Sequence, residues 1–210
     1  MTTYLEQNWR QLTVGLETEK TISYYKQLID LYNNPSRHYH NLSHIYTLLK
    51  YTDQYAHLLS DSKTIKYAIW YHDAIYDSSK NDNEEKSAAL ALEHMTNLGI
   101  EKQMIDTCCK MIIATKTHKL TNDIDSFDAQ FLLDIDLSIL GTKEEEYRQY
   151  TKHIRQEYII YPDPMYTIGR KNVIEHFLAM DRIYKTDLFF GLCEEHAKEN
   201  LKEELKQLLN

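Results

Sequence analysis

Apolar residues recur along most of this chain at helical spacing. Leu42, Ile45, Leu48 and Leu49 follow the i, i+3, i+4, i+7 pattern of one helix face. Ile65, Ala68, Ile69 and His72 repeat it in the next segment. Leu90, Ala91, His94 and Leu98 continue it and stop at Gly99, a favourable C-terminal residue. Met104, Ile105, Cys108, Met111 and Ile112 form a further stripe, and Phe131, Leu132, Ile135 and Ile139 another that ends at Gly141. A long segment from about Lys143 to Ile160 is stopped by Pro162 and Pro164. Two more helices are predicted, over roughly 165–185 and 187–209. The breaks are short: Asn33-Asn34-Pro35, Asp77 to Asn83, Lys116 to Asp125, and the Pro162 region. The pattern predicts an all-α fold, a single compact bundle of about eight or nine helices spanning 1–210.

Composition sharpens this picture. A chain of 210 residues can bury one sizeable core, and only 5 Gly and 3 Pro argue against a turn-rich all-β fold. The 17 Tyr suit half-buried core edges, where the ring is covered and the hydroxyl stays wet; such a surface also permits a homodimer. A formal net charge of −8 argues against gripping duplex nucleic acid, which needs a basic stripe. Three cysteines, Cys108, Cys109 and Cys193, with no CxxC pattern, read as reduced thiols of a cytoplasmic protein. The polar start MTTYLEQNWRQL does not read as a signal peptide. No apolar run approaches ~18 residues, so no membrane span is expected.

Against this background four residues of metal-ligand type stand out: His44, the adjacent pair His72-Asp73, and Asp136. Two imidazoles and two carboxylates suit a divalent cation, and a cation with open positions activates water. If a helix begins near Asn41, His40 lies at its mouth and His44 one turn in, so that both rings share a face. The plainer reading is a capped helix with two surface histidines. His72 and Asp73 sit in Ala68-Ile69-Trp70-Tyr71-His72-Asp73-Ala74-Ile75-Tyr76-Asp77, which is apolar on nearly every side and reads as a buried helix. A carboxylate there is costly unless paired or metal-bound. Neighbours on a helix diverge by ~100°, but a long imidazole and a short carboxylate can meet at one ion. Asp134 and Asp136 lie in another apolar run and point nearly opposite ways, so they are expected to have different jobs, one as a ligand and one bonding a neighbouring helix.

The order H…HD…D resembles the HD-domain superfamily of metal-dependent phosphohydrolases, over roughly residues 37–140, with the helices of 143–209 completing the fold. Tyr39-His40-Asn41-x-x-His44 and Asp136-Leu137-Ser138 are similar to the YHNxxH and DLS stretches of the 3′,5′-cyclic nucleotide phosphodiesterases. The whole chain, including Asn83-Glu84, His118, Arg155 to Tyr158 and Gly169-Arg170, resembles a small bacterial family of HD-type phosphohydrolases. The resemblance implies His44, His72, Asp73 and Asp136 as ligands of one or two divalent ions (Mn, Fe, Ni, Zn or Mg) and favours Asp136 over Asp134. It implies His40 as the acid that protonates the leaving oxygen and Asp73 as a carboxylate able to bridge two metals. The glutamine and aromatic clamp that hold a cyclic nucleotide base have no counterpart in the chain. The resemblance therefore carries phosphoester chemistry rather than that one substrate.

Around this set lie further candidates. Glu84 either complements a helix N-terminus with Glu85 or orients a metal-bound water. His118 reads either as a surface residue past a helix end or as a phosphate or second-metal ligand. Arg37, Lys116, Arg155 and Arg170 are candidate phosphate clamps, each also at home in a salt bridge. His94 reads as a satisfied core histidine. The expectation is a phosphohydrolase acting on a small, nucleotide-like phosphoester. The rival is a metal-containing module that senses a nucleotide without turning it over. A helical interaction protein is a third, weaker reading.

Overall fold

The computed structural model describes residues 1–209. Among them are ten α-helices and two short 3₁₀ helices, with no strand. The all-α expectation is met, and the helix count exceeds the eight or nine predicted. The N-terminal region folds as two helices, α1 (Thr2–Leu12) and α2 (Thr18–Tyr32), because Gly15 turns the chain between them at φ 82°. That left-handed backbone is open to glycine at no steric cost.

The chain packs as two compact units, the first Met1–Leu132 and the second from Leu133 onward. In the first, α3 (Leu42–Gln54), α4 (Ser62–Tyr71), α5 (Asn83–Asn97) and α6 (Lys102–Thr115) follow α1 and α2. Helix α4 is central and packs on α1, α3, α5 and α6. Ile65, Tyr67, Ala68, Ile69, Trp70 and Tyr71 on it are fully buried. Trp9 packs edge-on against Trp70 at 5.5 Å between ring centroids. The polar edges of these rings are satisfied: Trp70 Nε1 donates to Asn8 Oδ1, and Tyr32 Oη donates to the Trp70 carbonyl. Local signals set the helix ends. Asn41 caps α3 by accepting from Ser43 N at 2.8 Å, and Asp61 caps α4. Gly99, at φ 70°, closes α5 with hydrogen bonds from Gly99 N to the Thr96 carbonyl and from Ile100 N to the Met95 carbonyl.

One element expected to run on as helix ends early. α4 ends at Tyr71, His72 is its C-cap, and Asp73 lies in the turn that follows.

Helix α7 (Phe127–Asp136) begins in the first unit and continues without a break into the second. A 3₁₀ turn (Ser138–Gly141), α8 (Glu144–Glu157), α9 (Asp163–Leu178) and α10 (Asp187–Leu208) complete the second unit. A Cβ on Gly141 would lie 2.5 Å from Cβ of Cys193, so α10 approaches this turn more closely than any other residue allows. The helix predicted over 165–185 stops at Leu178. The following segment is held by Glu194, which accepts from Ile183 N and Tyr184 N, and by Asp134, which accepts from Lys185 N and Thr186 N.

Candidate metal centre

His44 enters from the first turn of α3, with its side chain 3% exposed. His72 enters from the end of α4, 1% exposed, and Asp73 from the turn beyond, 15% exposed. Nε2 of His44 lies 3.2 Å from Nε2 of His72. Oδ2 of Asp73 lies 3.1 Å from His72 Nε2 and 3.9 Å from His44 Nε2. One ligand atom from each of His44, His72 and Asp136 falls within 4.8 Å of the others.

The protonation of His72 follows from its second nitrogen. Nδ1 lies 2.9 Å from the Ile69 carbonyl, an acceptor only, so the ring proton belongs there and the Nε2 lone pair faces the cluster. That lone pair meets a carboxylate oxygen and another imidazole nitrogen. Such convergence is stabilised by a positive centre between the atoms, a shared proton or a metal ion. The spacing suits a metal as the positive centre. Two nitrogens bound at about 2.1 Å with an angle between octahedral and tetrahedral lie about 3.0–3.4 Å apart. The carbonyl behind His72 fixes tautomer and ring direction as an outer partner of a metal ligand does. The residues present fit a divalent ion.

The remaining candidates are placed as follows. His40 is half-buried beside the pair, its ring centroid 6.0 Å from that of His44 and 4.4 Å from that of Tyr76. Glu84, at the start of α5, is pushed above the usual carboxylate range by burial, to which the Asp73 charge adds, while Lys116 opposes. Lys116 donates to Glu85 at 2.6 Å and to the Asn81 carbonyl, bracing the loop before α5. His118 sits beyond the end of α6 with a left-handed backbone, φ 51°, and is outside the group formed by His44, His72 and Asp136.

Asp134 is fully buried and accepts from Lys185 N, Thr186 N and Thr186 Oγ1 at 2.6–2.7 Å. Burial pushes its carboxyl up despite these bonds. Asp134 thus holds the start of α10, while Asp136 belongs to the group of possible ligands.

Arg155 is engaged by Asp163 and the Tyr158 and Tyr161 carbonyls, closing the Pro162 turn. Arg170 forms a bidentate pair with Glu204 at 2.7 and 2.9 Å. Arg37 donates to three carbonyls around the site, and Tyr76 lies between it and His40. Sequence reasoning passed over Tyr76, because its partner Arg37 lies 39 positions away and no local pattern marks the contact. His94 is the core histidine expected, stacked on Tyr24 at 3.8 Å and in contact with Tyr71 Oη at 3.1 Å.

No family model, no curated protein and no solved structure matches the chain. No helix of the described residues is long and apolar enough to cross a membrane.

Proposed function

We propose that this chain is a metal-dependent phosphohydrolase of HD-domain type that cleaves a small phosphoester, a nucleotide or a nucleotide-like compound. The observation that supports this reading is the convergence of metal-ligand atoms: two Nε2 atoms 3.2 Å apart, a carbonyl fixing His72 Nδ1, and acids beside them. His44, His72 and Asp136 would hold the ion, with Asp73 beside them. A divalent ion bound there supplies Lewis acidity to phosphoryl oxygens and to water at neutral pH. The chain's own contribution is geometric and electrostatic. The burial of His44 and His72 keeps water from screening the site. Asp73 supplies a carboxylate that can take a proton from attacking water or bridge a second ion. His40, half-buried at the edge, is placed to give a proton to the departing oxygen, and an imidazole ordinarily titrates near ~6.5, in the useful range.

The test is hydrolysis of nucleoside monophosphates and 3′,5′-cyclic nucleotides in Mn²⁺, wild type beside His40→Ala. The expected result is turnover by the wild type and a loss of about 10²–10⁴-fold in the variant, with metal content retained. Full activity of His40→Ala on every responsive substrate would remove the acid role. Nucleotide binding without product in the wild type would instead identify a sensing module.

A further inference from the structure

Arg37 lies in the turn between α2 and α3 and is 7% exposed. Its Nη1 donates to the His40 carbonyl at 3.1 Å and the Asp73 carbonyl at 2.5 Å, and its Nη2 donates to the Ala74 carbonyl at 2.8 Å. One guanidinium thus joins the turn that carries His40 to the turn that carries His72 and Asp73. The same group lies between two rings, 5.0 Å from the Tyr32 centroid and 5.6 Å from the Tyr76 centroid. On Tyr76 rests the imidazole of His40, with 30° between the ring planes. Contacts therefore run from Tyr32 through Arg37 and Tyr76 to His40, and a second route runs through the backbone to the same residue.

We propose that Arg37 is a positioning residue: with Tyr76 it sets where the His40 imidazole stands relative to the metal ligands. This rests on the acid role of His40 given above. The requirement is for arginine specifically. A planar fork can reach carbonyls of two segments while lying between two aromatic faces, whereas an ammonium is a point charge without that shape. A guanidinium so engaged is directed at the protein backbone rather than at a substrate phosphate.

The test compares wild type, Arg37→Lys, His40→Ala and the double variant, as the full chain in Mn²⁺, on two kinds of phosphoester. Nucleotides have alkoxide leaving groups that need a proton. Nitrophenyl esters leave as stable anions and need none. Arg37→Lys is expected to lower kcat on nucleotides by about 10–100-fold with KM little changed. Nitrophenyl ester hydrolysis and Mn²⁺ content stay near wild type. In the His40→Ala background the same change adds no further loss. Equal loss on both ester kinds, loss of Mn²⁺, or an additive effect with His40→Ala would overturn the proposal, since each is what a merely structural role gives.

A second readout needs no turnover. The His40 ring resonances of the metal-free protein are expected to move in Arg37→Lys while those of His94 stay in place, and an unmoved His40 would refute the positioning role. If the wild type turns over neither ester, the hydrolase reading falls, and the resonances still decide whether Arg37 positions His40. Should Arg37→Lys fail to fold, Tyr76→Leu, which removes the ring between guanidinium and imidazole, is read in the same way.

Discussion

The Arg170–Glu204 cluster in the second unit and the His44–His72 corner in the first are both buried and both polar, yet their hydrogen-bond logic differs. At Arg170, a guanidinium meets a carboxylate through two N–H groups, and Tyr147 Oη donates to the same Glu204. Every donor there finds an acceptor and the charges cancel. At His72, an imidazole lone pair meets the second imidazole, with the Asp73 carboxylate alongside. A cluster that closes on itself holds the fold together. One that gathers metal-ligand atoms from separate elements could hold a metal ion. Asp134 and Asp136 repeat the contrast two residues apart on one helix, the first accepting from three donors at the start of α10, the second offering an oxygen within 4.8 Å of the histidine ligand atoms.

Substitutions can break this comparison. Glu204→Ala leaves the Arg170 charge buried without its partner and is expected to cost about 3–5 kcal/mol, read by denaturant unfolding. Metal content per folded molecule should not change; a variant of unchanged stability would show that the closed cluster is not structural. Asp134→Ala orphans three donors at the start of α10 and should cost about 1–3 kcal/mol, again with metal retained. Loss of metal in that variant would show that the two acids are not separate in role.

A smaller effect is expected with pH. Burial holds the His94 imidazole below its ordinary value. The unfolded chain therefore takes up this proton before the folded one does. The contribution is fully present above the ordinary value of about 6.5 and is lost as pH falls through the depressed folded value. His94→Gln should flatten the fall of Tm between neutral and mildly acidic pH, and an unchanged slope would remove His94 as its source. The smallest effect is expected at Lys116, whose pair with Glu85 is exposed: Lys116→Ala should leave both Tm and metal content within error.

Much of the architecture was legible locally. Stripes at helical spacing, the Asn41 cap, the Gly99 stop and the four breaks depend on residues within a few positions of one another. What was not legible depends on distant partners. The chain after Leu178 leaves the helix because its amides bond Glu194 and Asp134, the latter about fifty residues back. The end of α4 at Tyr71 was hidden inside an apolar run that reads as continuous helix. Within the candidate centre, the residue types named the histidines and acids, and the apolar setting of His72 explained why it would be buried. Arg37 read as either a phosphate clamp or a salt-bridge partner, because sequence displays its charge and not the carbonyls 36 and 37 positions away that engage it.

The most direct measurement is elemental metal content of the purified full chain, after equilibration with Mn²⁺, for wild type, His72→Ala and Asp136→Ala. One or two equivalents in the wild type, lost in both variants while each remains folded, is the expected result. No metal in the wild type, or metal that survives both substitutions, would contradict the assignment of this corner as a metal centre and leave the converging lone pairs to be bridged by protons alone.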